Sequence, residues 1–274
     1  MKKTKIIAEI GWNHMGDMTL AKKMIISAKE NGADFVKFQT WSVDRLKAGP
    51  WDQDGRREIY EKAELSVEQH LELFKYSKSL EIPMFSSVFS IEDAKMLSQI
   101  DTVMVKIASF ESRNTELLKC CDELFDTIII STGTSTVDEV RESIQSIEHS
   151  DVVFLHCVSA YPLEYKNVNL PRINSLRNLS GFYPNAKVGY SDHTPGVEGS
   201  KVALEYDIDY IEKHFTVDQD LPGRDNKFAI LPHELKELSE YIKIREEMNI
   251  SHGDGYLECE EESRAIMTGR FSGT

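Results

Sequence analysis

Short runs rich in β-branched residues recur along the chain at 6–10, 34–38, 84–87, 102–107, 127–131, 152–156, 187–190 and 210–214. Most are followed by a stretch whose apolar residues fall at helical spacing: 20–31, 66–80, 91–99, 136–147, 196–206 and 232–248. The first of these stops at Asn31-Gly32, a helix C-terminal signal. Strand and helix in alternation predict βα units around a parallel sheet. Eight such units, with no Gly-x-Gly-x-x-Gly after the first strand, predict an α/β fold of the (β/α)8 TIM-barrel type rather than an open doubly wound sheet.

Two connections are long. One, 41–65, carries Trp51-Asp52-Gln53-Asp54-Gly55; the other, 161–186, includes a helix around 171–179. Loops at the C-terminal ends of barrel strands build active sites, so both are expected to cover a substrate. The 274 residues suit one barrel over 1–262 followed by a tail over 263–274, since such barrels take roughly 250 residues.

Composition narrows the function. No apolar run approaches the roughly 20 residues of a membrane span, and Met1-Lys2-Lys3-Thr4-Lys5 leads into a strand rather than a secretory h-region. We expect a cytoplasmic protein without a membrane partner. Cys120, Cys121, Cys157 and Cys259 include no Cys-x-x-Cys, which predicts reduced, mostly structural thiols. A formal charge of -14 disfavours nucleic acid as a partner, so an anionic substrate must be met by local cations.

The strand ends supply the candidates: Glu9, Lys37 with Gln39, Ser86 with Ser87, Lys106 with Ser109, Ser131 with Thr132, His156, Asp192 with His193, and Glu212 with His214. Their position at one rim predicts one pocket. Lys37 and Lys106 each end an apolar strand, where an unpartnered ammonium is costly. A rim carboxylate such as Glu9 would resolve that cost, and so would an anionic ligand; two lysines at matching ends favour the ligand. His193 and His214, ending strands seven and eight, suit a divalent ion such as Mn²⁺, Co²⁺ or Zn²⁺ with positions left open. The alternatives are core hydrogen bonding or a general base without metal. His156, beside Cys157, reads as a core or supporting histidine. The Ser131-Thr132-Gly133 turn could cradle a phosphate or cap a helix, and the turn after strand eight could bring Arg224 or Asp225 back over the pocket.

In order along the chain, Ile7-Ala8-Glu9-Ile10-Gly11 with Asn13-His14 and Gly16, Val36-Lys37-Phe38-Gln39-Thr40, Lys106-Ile107-Ala108-Ser109, Ile130-Ser131-Thr132-Gly133, His156-Cys157-Val158-Ser159-Ala160-Tyr161-Pro162, Gly189-Tyr190-Ser191-Asp192-His193-Thr194, Glu212-Lys213-His214-Phe215-Thr216 and Pro222-Gly223-Arg224-Asp225 resemble the motifs of the N-acetylneuraminate (sialic acid) synthases. That family includes the legionaminic and pseudaminic acid synthases. The resemblance implies a metal-dependent condensation of phosphoenolpyruvate with an open-chain N-acyl amino sugar, similar to N-acetylmannosamine, giving a nonulosonic acid and phosphate. It implies a metal, usually Mn²⁺ with Mg²⁺, Co²⁺ or Zn²⁺ as alternatives, on His193 and His214. Phosphoenolpyruvate would be held by Lys37, Gln39, Lys106, Ser109, Ser131 and Ser159, with Tyr161 in the sugar pocket and Glu9 and Asp225 near metal and sugar. The chemistry agrees: a small trianion needs lysines and hydroxyls, and an aldehyde needs a Lewis acid.

The sequence departs from the family pattern in two places. Ser86-Ser87-Val88-Phe89 replaces the usual Ser-Thr-Pro-Phe, and the antifreeze-like domain that normally follows the barrel, lies over the partner of a homodimer and offers an arginine to the sugar is not in this sequence. A separate cap polypeptide, the barrel's own long loops or an unusual sugar would each answer the second departure. The competing readings are another phosphoenolpyruvate-dependent 3-deoxy-sugar-acid synthase, and a non-catalytic sugar- or metal-binding barrel acting through a partner.

Overall fold

A computed structural model describes residues 4–100, 102–180, 183 and 186–273. Residues 1–3, read above as the lead into the first strand, and residue 274 of the expected tail lie outside the described residues. All eight expected strands form: β1 (Lys5–Gly11), β2 (Phe35–Thr40), β3 (Met84–Val88), β4 (Met104–Ile107), β5 (Thr127–Ser131), β6 (Asp151–Cys157), β7 (Lys187–Asp192) and β8 (Tyr210–His214). Each pairs in parallel with its neighbours, and β8 returns to β1, closing the barrel.

Around it run α1 (Met18–Glu30), α2 (Arg56–Ala63), α3 (Val67–Ser79), α4 (Ile91–Leu97), α5 (Thr115–Leu124), α6 (Val137–Ile144), α7 (Arg172–Ser180), α8 (Glu198–Ala203) and α9 (Pro232–Met248), with α10 (Glu261–Met267) in the exposed C-terminal stretch. Helix starts are set by side chains that take up free backbone N–H groups: Asp17, Ser66, Ser90, Asn114 and Thr136. Each such cap contributes about 1 kcal/mol. α2, α5 and α10 were not expected. α2 lies in the segment 41–65 and buries only Ala63, so no apolar stripe marks it.

Strand alternation sorts the side chains into two cores. Ile6, Ala8, Val36, Phe38, Ile128, Ile130 and Phe154 join the large core beneath the helices. Ile7, Phe85, Ile129, Val153, Leu155 and Tyr210 fill the lumen, with Phe35 and Met104 packed against them. The lumen is therefore plugged by apolar side chains, and residues further along the inward parity open at its C-terminal end. Beyond Glu246 every described residue is exposed, so the boundary expected at 262 falls within a stretch that does not pack on the barrel. Among the described residues no helix is long and apolar enough to cross a membrane.

Candidate active site

Inward parity and the C-terminal end of the strands together define a cavity of about 760 Å³. Glu9, Lys37, Gln39, Lys106, Ser109, Ser131, Ser159, Tyr161, His193, His214 and Asp225 all line it, as does Arg224. Ser86, Thr132 and Asp192, also expected at the rim, do not line it, and neither does His156, read above as a core or supporting histidine. All four fall on the outward parity of their strands, Thr132 one residue past the end of β5. His156 is hydrogen-bonded to Val168 O at 2.7 Å and stacked on Tyr190. Asp192 is ion-paired with Lys213 at 3.0 Å and accepts from the Thr194 and Ser200 hydroxyls.

At the floor lie two lysines and two carboxylates, all buried. Lys37 Nζ is 2.6 Å from Glu9 Oε2 and 2.8 Å from Ser87 Oγ. Lys106 Nζ spans the lumen to both Glu212 oxygens at 2.7 Å, and Glu212 also accepts from Ser191 Oγ at 2.9 Å. The cost of burying the two ammonium groups is thus met by carboxylates, so their position does not by itself require a bound anion. The two acids differ. Burial raises Glu9 above the usual carboxylate range against the pull of Lys37, and Glu212 adds to the rise. Burial would raise Glu212 as well, but Lys106 and Lys37 outweigh it and hold its carboxyl at about 2. Two acids pushed apart in this way mark the proton carrier as Glu9 and the permanent counterion as Glu212.

Hydroxyls gather on the neighbouring wall. The Gly133 N–H donates to Ser109 Oγ at 3.2 Å, and a Cβ at Gly133 would lie 2.7 Å from that oxygen and 2.5 Å from Ser159 Oγ. Only glycine lets both hydroxyls approach. Ser159 Oγ is buried with no hydrogen-bond partner among the described residues. α6 is capped by Thr136, whose hydroxyl accepts from the Glu139 N–H while the Glu139 carboxylate accepts from the Thr136 N–H, so the Ser131-Thr132-Gly133 turn is not itself the cap.

On the opposite wall the rings of His193 and His214 lie 5.6 Å apart, with Tyr161 4.1 Å from the first and 5.8 Å from the second. His193 Nδ1 donates to Val158 O at 2.8 Å, and its Nε2 faces the Ser191 hydroxyl at 3.5 Å. His214 Nδ1 is buried without a hydrogen bond and 3.6 Å from Asp225 Oδ2. Burial, the His193 ring and Lys37 hold His214 well below its ordinary value, hence neutral. Among the described residues no group of three or more His, Cys, Asp or Glu is arranged to hold a metal ion. The two imidazoles with the Asp225 oxygen nevertheless suit a divalent cation: His214 is a neutral nitrogen donor, His193 is oriented by a backbone carbonyl at Nδ1 so that Nε2 is the nitrogen it would offer on giving up a proton, and a carboxylate stands beside them. Burial lifts Asp225 to about 6, against the hydrogen bond from Trp12.

The NeuB family model matches residues 24–254. The chain belongs to the NeuB family. It is 35% identical over 271 residues to the N,N'-diacetyllegionaminic acid synthase of Campylobacter jejuni, covering 93% of this chain and 79% of that one. It is 34% identical over 276 residues to a pseudaminic acid synthase of the same species, covering 96% and 78%. The crystal structure of the N-acetylneuraminic acid synthetase of Leptospira borgpetersenii, in complex with citrate, superposes with a TM-score of 0.85 at 28% identity over 99% of this chain and 93% of that one.

Several residues of this NeuB barrel carry more of the site than the sequence suggested. Glu212 holds both lysines, and its signal was available: it stands two residues before His214 on one strand, hence on the same face. Cys157, expected to be structural, lines the cavity 3.8 Å from His193 Nδ1. Burial disfavours charge on both, but their mutual attraction outweighs it, raising the imidazole and lowering the thiol to about 7. An aromatic wall of Trp12, Trp41, Trp51, Tyr60 and Phe89 also faces the cavity. Most of it comes from the connection 41–65, which covers the site as expected. Of 161–186, only Tyr161 lines the cavity among the described residues; α7 packs Ile173, Leu176 and Leu179 into the outer core instead.

Proposed function

We propose that this chain condenses phosphoenolpyruvate with the aldehyde of an open-chain N-acyl amino sugar, giving a nonulosonic acid and inorganic phosphate. The observation that carries the reading is the convergence of lysines, hydroxyls, two neutral-capable imidazoles and a protonatable acid on one cavity of about 760 Å³ in a NeuB barrel. The curated relatives named above are synthases of such acids.

In this reading Lys37 and Lys106 face the carboxylate and phosphate of phosphoenolpyruvate, and Ser109, Ser131, Ser159 and Gln39 donate to their oxygens. Carbon 3 of the enol forms a bond to the aldehyde carbon, whose oxygen becomes the new hydroxyl on taking a proton. Water adds at carbon 2, and the carbon–oxygen bond to phosphate then breaks, leaving a ketone. Glu9, the acid whose proton is held by burial, exchanges protons with the reacting oxygens. Tyr161 and Asp225 orient the sugar. His193 and His214 would hold a divalent cation, Mn²⁺ first among the candidates, which supplies Lewis-acid polarisation of the aldehyde. The homodimer implied by the resemblance, the cytoplasmic setting expected from composition and a separate cap polypeptide belong to the same proposal.

The test is phosphate release from phosphoenolpyruvate by the purified chain with Mn²⁺ and a panel of N-acyl amino sugars. Release with a given sugar, lost in His193→Ala and Lys106→Ala, supports the reading. A folded chain that releases none with any sugar, alone or with a separately made cap domain, refutes it.

A further inference from the structure

The turn after β1 and the turn after β8 are stitched together. Asn13 donates to Phe215 O at 2.9 Å, and the buried Asn226 donates back to Asn13 O at 3.2 Å and to Pro222 O at 2.8 Å. Between them, Trp12 places its indole N–H on Asp225 Oδ2, the oxygen that lies 3.6 Å from His214 Nδ1. This is the one side-chain hydrogen bond that the Asp225 carboxylate accepts among the described residues. The Trp12 ring lies flat on Tyr60 of α2, centroids 5.0 Å apart and planes 14° apart, and meets Trp41 edge-on at 6.1 Å.

We propose that Trp12 is a positioning residue: its indole N–H fixes the Asp225 carboxylate beside His214, and Tyr60 fixes the indole, so the site acid is held only when the covering segment 41–65 is packed. The inference rests on the condensation reading for its kinetic consequence but not for the contact itself. The other two indoles differ: Trp51 donates to Lys47 O at 2.7 Å, and the buried Trp41 Nε1 has no partner among the described residues. Trp12 donates to a carboxylate at the cavity wall instead. Asp225 follows Gly223, whose φ of +113° turns the chain back toward β1, and without the indole its side chain has no described donor to choose its rotamer.

The chain has three tryptophans, so its ¹⁵N–¹H spectrum carries three indole signals, and Trp12→Phe identifies one of them. Asp225→Ala and Tyr60→Leu should each shift that signal and speed its exchange with solvent. Trp12→Phe keeps the stack and removes the donor; hydrogen bonds to charged groups predict a fall of roughly 10- to 100-fold in kcat with the acceptor sugar. The KM for phosphoenolpyruvate should stay within about twofold, because the lost contact lies on the other wall. A Trp12 signal unmoved by Asp225→Ala, or parental kcat in a folded Trp12→Phe, overturns the proposal. Should Trp12→Phe not fold, the Asp225→Ala spectrum still decides, since an unchanged set of three indole signals excludes the contact. A parent that turns over no sugar refutes the condensation reading while leaving the spectral test intact.

Discussion

Glu212 Oε1 and Oε2 each lie 2.7 Å from one buried ammonium, and that geometry makes the residue a structural counterion before it is anything else. Removing one member of a buried pair leaves the other charged in a low-dielectric site. Glu212→Gln should therefore lower unfolding free energy by about 3–5 kcal/mol in denaturant titrations, and adding Lys106→Met should recover much of the loss. Asp225 behaves differently because its carboxyl is raised from 3.8 to about 6. A folded-state value above the unfolded one adds stability below pH 3.8 and loses it as pH rises through 6. Above that, the ionised, buried carboxylate costs about 3 kcal/mol, two units at 1.36 each. Asp225→Asn, whose amide oxygen still accepts from Trp12, should be more stable than the parent at pH 7.5 in metal-free buffer, the difference vanishing near pH 4. Equal stability of the two at both pH values would contradict the burial argument. Sequence reading selected Asp225 and both lysines, but the partner of Lys106 was hidden. Glu212 lies on β8 and Lys106 on β4, opposite strands whose side chains meet across the lumen, and no spacing along the chain encodes that contact.

Parity along a strand decides which rim residues do chemistry. Eight strands were legible because each is a short apolar run closed by a polar group, and their order followed from alternation with helices. The inner and outer faces were legible too: Glu212 and His214 are separated by two, whereas Lys213 between them faces the helices. Treating every polar strand end as part of one pocket placed Ser86, Thr132 and Asp192 there wrongly, whereas His156, read as a core or supporting histidine, is packed in the core. α2 was not legible, since a helix burying a single alanine leaves no periodic trace. Yet it supplies Arg56 and Tyr60 to the cavity wall, so a helix without a periodic trace contributes to the site. The parity argument predicts a clean separation of effects. Lys213→Met, which strands Asp192 in the outer layer, should cost about 3 kcal/mol of stability, with KM for phosphoenolpyruvate within about twofold of the parent because the lumen is untouched. A larger rise in KM at unchanged stability would mean that Lys213 faces the ligand.

Across the whole molecule, stability and chemistry occupy different layers of one barrel. Ile7, Phe85, Ile129, Val153, Leu155 and Tyr210 close the lumen below, and the outer core locks strands to helices, so the hydrophobic term that holds the fold lies away from the rim. The rim is held by its own groups: Lys37 lies against Glu9 and Lys106 against Glu212, each within 2.7 Å. It therefore keeps its shape without a ligand to complete it. The histidine wall differs, because His214 Nδ1 has no hydrogen-bond partner and the one neighbouring carboxylate oxygen is already shared with Trp12. A cation bound there would satisfy a nitrogen that the fold leaves open, without being needed to bring the barrel together. Stripping divalent ions with a chelator should therefore leave the circular dichroism spectrum unchanged and shift Tm by no more than about 5 °C, a change of roughly 1–2 kcal/mol for a domain of this size. Phosphate release should fall to background and return with added Mn²⁺ in the parent but not in His214→Ala. Full turnover after exhaustive chelation would show that the imidazoles act as acid–base groups alone, whereas collapse of the fold on chelation would show that the two layers are not separate.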